Sequence, residues 1–526
     1  MSSSSPAAII ALARAGAIDE ALRRFAAADA SPDDVAMLIV KGRLLKDLAL
    51  RSSAQERQLL YREAAAAYRR SAELQPATYP LINAATLAAL GGSVDEAESL
   101  ALEVLGSIDA HPDEPETPYY RAATRAEALL LLNRHDEARA AFAEAIALAP
   151  KAWEDHATTL RQFRLVLTAQ GRDASWLDAH RPPRSLHFGG HMSFDSDAVG
   201  RKDLDREILA LLEEERIGFG YGALAAGADI LIAEALLARG AQLHAVLPGG
   251  AAAFASVSVD PFGAAWRRRF DALVDQAETV RAVRPFGSPP GTVTIGLADE
   301  IAMGAAVLNA RQLESEATQL LVVAGDDAAA SGASATLQAQ DIWAASNRRQ
   351  RIVQAPRETA GASQVAETLE AEARAALAVI AIMPAQSAKA DTIERWLATV
   401  GEAITRVSVP VVAPYLSGER VLLAHKNLQD AADLILALAR DGHRVGGDFC
   451  AVVPFEDPFS NALRLPAEAT SPAEAAAAST PAGSACVTQD FAAALAARGS
   501  DGVRADYVGE LEPHAAEPPI GLYALK

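Results

Sequence analysis

The sequence predicts three regions in series: an all-α helical repeat array, a parallel α/β sheet and an α+β sandwich. From residue 6 to about residue 178, apolar residues recur at three- and four-residue spacing, which indicates consecutive helices. From residue 184, short apolar strands alternate with helices. From residue 375, the predicted order is strand, helix, hairpin, helix and strand. A length of 526 residues is consistent with about three domains.

Composition narrows the classes of partner and the compartment. The net charge of −20 and the pI near 5.0 argue against a dedicated nucleic-acid-binding protein and against a basic membrane-surface protein. The two cysteines, Cys450 and Cys486, are too few for a disulfide framework or a cysteine-based zinc site. The start resembles no secretion signal, and the apolar run at 375–385 is too short to span a membrane. We therefore expect a cytoplasmic protein without nucleic-acid or membrane partners.

A short signature recurs in the first region, predicted as residues 1–180. Asp-Glu-Ala stands at 19–21, 95–97 and 136–138, each time after a turn. Two acidic residues at a helix start are favoured by the exposed N–H groups and the helix dipole, and the alanine can pack on the preceding helix. The spacing is irregular, so we expect an array that is not a strict 34-residue repeat.

This pattern resembles a tetratricopeptide-type array. The run "LLYREAAAAYRRSAELQPATYPLINAATLAAL" is similar to the helical region called the TRAF-binding domain, which precedes signalling domains in bacterial proteins and in some kinases. The resemblance implies docking of a protein partner. The alternative is that these helices only support the region that follows.

Glycines accompany the strands of the second region, predicted as residues 184–345. A strand at 185–188 leads into Gly189-Gly190-His191, and the strand at 242–247 leads into Pro248-Gly249-Gly250. Between them stand Gly220, Gly222 and Gly227. Ligands of such Rossmann-like sheets bind at the carboxyl ends of the strands. Glycine there lets a phosphate or ribose approach the main chain closely.

The run "GALAAGADILIAEALLARGAQLHAVLPGG" resembles the core of the SLOG superfamily, which includes the DNA-processing protein A family and the LOG phosphoribohydrolases. The resemblance implies a nucleotide-derived small-molecule ligand. The residues predicted to line its pocket are Gly189, Gly190, His191, Gly220, Gly222, Gly227, Asp229, Gly249 and Gly250.

The hydrolase members of this superfamily carry Gly-Thr and a catalytic Glu after their Pro-Gly-Gly. In this sequence Ala251 to Phe254 follow Pro248-Gly249-Gly250. Binding without hydrolysis is therefore the prediction, and a ligand-free scaffold is the alternative.

The third region, predicted as residues 375–526, follows a polar linker at 346–374. Its order of elements is that of a ferredoxin-like sandwich, with the hairpin turn at 417–420. The segments Thr480-Pro481-Ala482-Gly483 and Tyr523-Ala524-Leu525 resemble the end of class III adenylate/guanylate cyclase domains. Cyclase sites form between two such domains, so the resemblance implies a homodimer or a heterodimer with an active partner.

Cyclase chemistry requires two carboxylates that bind two metal ions, an Asn that orients the ribose and an Arg that stabilises the transferred phosphoryl group. Matched segment by segment, these four positions hold Met383, Glu419, Ser471 and Ala475. Asp391 and Asp448 do not stand where the missing ligand is needed. We expect a catalytically degenerate domain, with Mg²⁺ or Mn²⁺ bound only if it is active. Glu419 is then a weak candidate metal ligand, or else an ordinary solvated turn carboxylate.

Together these regions predict an intracellular signalling protein that binds a nucleotide-derived ligand and docks a protein partner. Two alternatives remain open. One is a nucleotidyl cyclase that uses non-standard residues or a heteromeric partner, and the other is a non-enzymatic scaffold.

Overall fold

The computed structural model describes residues 5–14, 16–28, 30–111, 117–192, 201–324, 335–356, 373–385, 392–499, 502–511 and 519–526. The chain divides into two compact units. The first is Met1–Pro182 with Gln312–Glu314, and the second is Pro183–Arg311 with Ser315–Lys526.

The first unit is built from helices, as the apolar periodicity predicts. The helices are α1 (Pro6–Arg14), α2 (Ile18–Ala26), α3 (Val35–Ala49), α4 (Ala54–Leu74), α5 (Thr78–Leu90), α6 (Val94–Ala110), α7 (Pro118–Leu131), α8 (His135–Leu148) and α9 (Trp153–Ala169), with a 3-10 helix at Ser175–His180. The three Asp-Glu pairs of the signature lie in the first turns of α2, α6 and α8. The alanines that follow them, Ala21, Ala97 and Ala138, are buried. Both predicted roles of the signature are confirmed.

Alternate helices of this unit meet at a shared polar contact. Thr86 of α5 donates a hydrogen bond of 2.5 Å to the Glu127 carboxylate of α7, and Gln162 of α9 donates one of 3.0 Å. Lys46 of α3 lies 3.4 Å from Gln162 Oε1. Burial raises the pKa of Glu127 and lowers that of Lys46. No motif in the sequence indicates this contact, which links helices far apart in the chain.

The second unit begins with the region that we call the parallel-sheet region, residues 184–356. Its strands are β1 (Arg184–Gly190), β2 (Ile217–Gly222), β3 (Gln242–Pro248), β4 (Thr279–Val283), β5 (Ala317–Val323) and β6 (Arg349–Gln354). They form one sheet in the order β4-β3-β2-β1-β5-β6, and every pairing is parallel. The helices are α10 (Arg201–Glu214), α11 (Ala228–Ala238), α12 (Ala251–Ser258), α13 (Ala264–Gln276), α14 (Thr292–Gln312) and α15 (Ala335–Ala345).

Two details of this region differ from the sequence prediction. The strand β6 lies inside the segment predicted as linker, so the sheet extends past residue 345. Four of the predicted ligand residues, Gly189, Gly190, Gly220 and Gly222, lie within β1 and β2 instead of in turns after them.

The rest of the second unit is the mixed-sheet region, residues 373–526. Its main sheet has the order β14-β15-β13-β10-β7-β9-β8. The strands are β7 (Ala375–Met383), β8 (Val412–Ser417), β9 (Arg420–His425), β10 (Arg444–Val452), β13 (Ser484–Thr488), β14 (Ala505–Leu511) and β15 (Ile520–Leu525), and β11 (Phe455–Asp457) and β12 (Ala462–Arg464) form a separate hairpin. The helices are α16 (Ile393–Thr405), α17 (Leu428–Arg440), α18 (Ala467–Ser479) and α19 (Gln489–Arg498). The predicted succession of strand, helix, hairpin, helix and strand is confirmed.

The two sheet regions pack closely against each other. A Cβ atom at Gly304 of α14 would collide with the carbonyl group of Ala493 in α19, so these two helices touch backbone to backbone. Trp343 of α15 is buried against Ala496 and Ala497 of α19. Among the described helices, α14 is the one long and apolar enough to cross a membrane, and 61% of its most apolar segment is buried. Its contacts are those of a core helix.

Candidate functional site

The strand order places a crevice between β1 and β5. Successive strands β1 to β4 extend the sheet in one direction, and β5 and β6 lie on the other side of β1. Gly189 and Gly190, at the carboxyl end of β1, pair with Leu321 and Val322 near the end of β5. In open parallel sheets, ligands bind outside the carboxyl ends of the strands, at the point where the strand order reverses. This edge is the candidate site.

Gly189 and Gly190 differ in the space around them. Both are partly exposed. A Cβ atom on Gly190 would lie 2.5 Å from Ala228 Cβ and 2.7 Å from the Val322 carbonyl oxygen, so this glycine permits close packing. A Cβ atom on Gly189 would meet one described atom within 4 Å, Leu321 Cδ2 at 3.7 Å. Among the described residues a Cβ atom on Gly189 thus has room, as has one on Gly250, whose one described neighbour within 4 Å is Ala282 Cβ at 3.7 Å.

A polar cluster that sequence reasoning missed lies beneath Gly189. His187 of β1 is buried, and its Nε2 atom lies 2.9 Å from Asp299 Oδ1 of α14. Its Nδ1 atom lies 3.0 Å from Gln319 Nε2 of β5, and its ring stacks on Trp343. The Asp299 side chain is 18% exposed, and its contact with His187 holds it beside β1. His187 and Asp299 are 112 residues apart, so no local motif could have identified the pair.

Asp229 acts on the backbone around the site. Its buried carboxyl accepts hydrogen bonds from the N–H groups of Ala225 and Gly190. Burial raises its pKa to about 7, and the Asp299 carboxylate adds to that rise. Asp229 thus holds the β2–α11 loop against the end of β1.

Three other predicted glycines stand at helix starts. Gly227 precedes α11 with φ of 129°, and Gly249 and Gly250 precede α12 with φ of 72° and 92°. These backbone angles favour glycine. Gly250 is partly exposed, whereas Gly227 and Gly249 are buried.

Three predicted ligand residues instead have structural contacts. His191 is buried, and its two ring nitrogens each lie 2.9 Å from a carbonyl oxygen, of Met192 and of Ala355. A Cβ atom on Gly220 would collide with Leu236 of α11, and one on Gly222 would lie 2.6 Å from the Phe188 carbonyl oxygen. The His191 side chain and these two glycines thus have close protein contacts, and their role in ligand binding stays a prediction.

The four positions matched to cyclase catalysis fall near one end of the mixed sheet. Met383 ends β7, and the pairing of Ile382 with Val421 sets it beside Arg420 of β9. Glu419 is exposed in the turn between β8 and β9. Ser471 and Ala475 lie on α18, where Ser471 is exposed and Ala475 is partly buried. An ion pair between Arg420 and Glu474 joins the hairpin to α18.

These residues do not fit a two-metal site. Met383 supplies a thioether where a carboxylate is needed, and the Glu474 carboxylate is bonded to the Arg420 guanidinium. Mg²⁺ and Mn²⁺ prefer oxygen ligands, in most sites carboxylates. In the described part of the chain, no group of three or more His, Cys, Asp or Glu side chains could hold a metal ion. Asp391 lies outside the described residues.

Most exposed large apolar side chains of the described mixed-sheet region lie at its β8 edge and on the neighbouring hairpin, whereas Tyr507 lies on β14 at the opposite edge. On β11–β12 they are Phe455, Leu463 and Phe459, which is 97% exposed. On and just before β8 they are Val409, Val411 and Leu416. β8 is the last strand of the main sheet at this edge.

Comparison with known proteins gives a match to one family model and matches to solved structures. A family model described as tetratricopeptide repeats-sensor, TPR-S, matches residues 6–88. No curated protein sequence matches the chain.

Cyclases are among the solved structures that match. A monomeric adenylate cyclase from Trypanosoma brucei is 14% identical, with 29% of this chain and 89% of that chain covered and a TM-score of 0.26. The adenylyl cyclase CyaB from P. aeruginosa is 11% identical, with 29% and 94% covered and a TM-score of 0.24. An adenylate/guanylate cyclase/hydrolase from Silicibacter pomeroyi is 17% identical, with 30% and 98% covered and a TM-score of 0.24.

Proposed function

We propose that this chain is a signalling protein that binds a nucleotide-derived ligand at the crevice between β1 and β5. The observation that carries this proposal is the reversal of strand order between β1 and β5, where one described atom lies within 4 Å of a Cβ position on Gly189. The SLOG-like run from Gly222 to Gly250 belongs to the same sheet and supports a nucleotide as the ligand class.

The chemistry of the crevice assigns different parts of a nucleotide to different residues. The Asp299 carboxylate, held by His187, suits the hydroxyl groups of a ribose and repels phosphate. Phosphate groups suit the start of α12 at Gly250, where N–H groups and the helix dipole favour negative charge. A ligand with both groups would therefore extend along the sheet edge from β1 towards β3.

The mixed-sheet region is, in this proposal, a cyclase-like domain that has lost catalysis. Met383, Ser471 and Ala475 supply none of the carboxylate, amide and guanidinium groups that the reaction needs. Loss of one such stabilising group commonly costs about 10² to 10³ in rate, and three are absent. Ligand recognition in the neighbouring sheet is then the function that remains.

The helical unit is assigned to protein docking in the manner of TRAF-binding and tetratricopeptide regions. A cavity of about 310 Å³ lies near the turn between α2 and α3, lined in part by Phe25, Met37, Leu38 and Lys41. Pairing of two cyclase-like domains remains a prediction, and the apolar β8 edge is the surface for it.

The nucleotide proposal predicts that Gly189→Val abolishes binding without disturbing the fold. The added side chain enters open space on an extended strand, with one described neighbour within 4 Å, and fills the crevice. Isothermal titration of the full chain with a panel of adenine and guanine nucleotides should detect binding to the unsubstituted protein. We expect the variant to lose at least about tenfold in affinity, the effect of roughly 1.4 kcal/mol.

The control is Gly401→Val in α16. Apart from its chain neighbours and the backbone of its own helix, no described heavy atom lies within 4 Å of a Cβ atom at Gly401. This variant should bind as the unsubstituted chain does. Binding unchanged in Gly189→Val, or no binding by any chain, would reject the crevice as a nucleotide site.

A further inference from the structure

One loop of the parallel-sheet region contacts both the candidate site and the mixed-sheet region. This loop follows β4, the edge strand of the parallel sheet, and we call it the β4 loop, residues 284–288. The Gly249 N–H donates to the Val283 carbonyl oxygen at 2.8 Å, and the Gly287 N–H donates to the Gly249 carbonyl oxygen at 2.9 Å. One backbone hydrogen bond therefore joins the turn at Gly249 to the end of β4, and a second joins it to the β4 loop.

The same loop reaches the centre of the mixed sheet. Arg284 Nη2 donates to Asp448 Oδ2 at 2.6 Å, and Nη1 donates to the Glu468 carbonyl oxygen in α18 at 3.2 Å. Asp448 lies in β10, is 0% exposed, and also accepts a hydrogen bond of 2.7 Å from Thr488 of β13. A buried ion pair of this kind depends strongly on its geometry, because either charge left alone in the interior is costly.

A second ion pair beside the first fixes β4 itself. Arg281 of β4 pairs with Asp490 at the start of α19. Arg281 thus ties β4 to α19, as Arg284 ties the β4 loop to β10.

We propose that Arg284 transmits the conformation of the Gly249–Gly250 turn to β10 and α18 of the cyclase-like domain. The contacts of Arg284 are present without a ligand. This proposal rests on the proposed nucleotide site only for the identity of the ligand that would move the turn. A ligand that moved the turn would shift Arg284 relative to Asp448 and so alter the centre of the neighbouring domain. The parallel-sheet region would thereby regulate that domain within one chain.

Hydrogen exchange of the full chain without any ligand tests the link. Gly249→Ala perturbs the turn, because φ of 72° strains alanine and its Cβ would contact the Ser288 carbonyl oxygen. We expect amide exchange in residues 444–452 and 467–479 to rise by about fivefold. The control is Gly240→Ala, which has a similar φ of 74° but no described contact within 4 Å, and it should leave those residues unchanged.

The route through Arg284 is tested in a second background. In Asp448→Asn, which is nearly isosteric and weakens the ion pair, the rise caused by Gly249→Ala should fall below about twofold. Arg284→Gln combined with Asp448→Asn leaves no buried charge unpaired and is used if the single variant does not fold. A rise confined to the β4 loop, a rise that persists in these backgrounds, or an equal rise in Gly240→Ala would each overturn the proposal. Nucleotide titration is a separate measurement, so either proposal can fail alone.

Discussion

Gly304→Ala is expected to separate the two sheet regions. The added methyl group would collide with the backbone carbonyl group of Ala493. Overpacking of a close contact typically costs about 1–3 kcal/mol, and we expect the upper end because no flexible side chain can yield. Hydrogen exchange at increasing denaturant should show that the free energy of opening falls in α14 and α19 together.

The matched control for this prediction is Gly401→Ala in α16. Both glycines are inside helices, but a Cβ atom at Gly401 meets no described atom within 4 Å. Here alanine should raise stability by about 0.5–1 kcal/mol, because glycine loses more conformational freedom on folding. If Gly304→Ala were as harmless as Gly401→Ala, the close contact between α14 and α19 would be wrong.

Asp229→Asn is expected to change how stability depends on pH. The pKa of Asp229 is about 7 in the folded chain because the carboxyl is buried, against an ordinary value of 3.8. Between these values the unfolded chain releases a proton that the folded chain retains. The free energy of unfolding therefore falls as pH rises from about 4 to about 7, by at most about 1.4 kcal/mol per pH unit.

Asparagine keeps an acceptor for the Ala225 N–H and carries no charge, so the variant should lose this part of the pH dependence. The free energy of unfolding of Asp229→Asn minus that of the unsubstituted chain should increase steadily from pH 4 to pH 7 and stay constant above pH 7. Denaturant unfolding at four pH values measures the difference for the parallel-sheet region. The same slope of stability against pH in Asp229→Asn and in the unsubstituted chain would refute the burial of an uncharged Asp229.

Most elements could be predicted from the sequence because their signals are local. The apolar periodicity of α1 to α9 and the Asp-Glu pairs at helix starts act within a few residues of each other. The strand β6 lies in a segment whose polar residues predict a linker, and polar residues such as Arg349, Gln350 and Arg351 are compatible with an edge strand.

The site could be predicted only in part, because its geometry depends on strand order. Glycine is required both where a ligand approaches and where a helix packs closely, and the sequence does not separate Gly189 from Gly220. The pair of His187 and Asp299 forms only when α14 crosses the sheet beside β1. The same holds for Arg284 and Asp448, which come from different domains.

The central claim is that this chain recognises nucleotides and does not cyclise them. The most direct measurement incubates the full chain with ATP or GTP and Mn²⁺ and determines cyclic nucleotide by mass spectrometry, with Glu419→Gln in parallel. The account predicts that both proteins return the triphosphates without cyclic product above a protein-free blank. Cyclic AMP or cyclic GMP that forms in proportion to protein, needs Mn²⁺ and disappears in Glu419→Gln would contradict it.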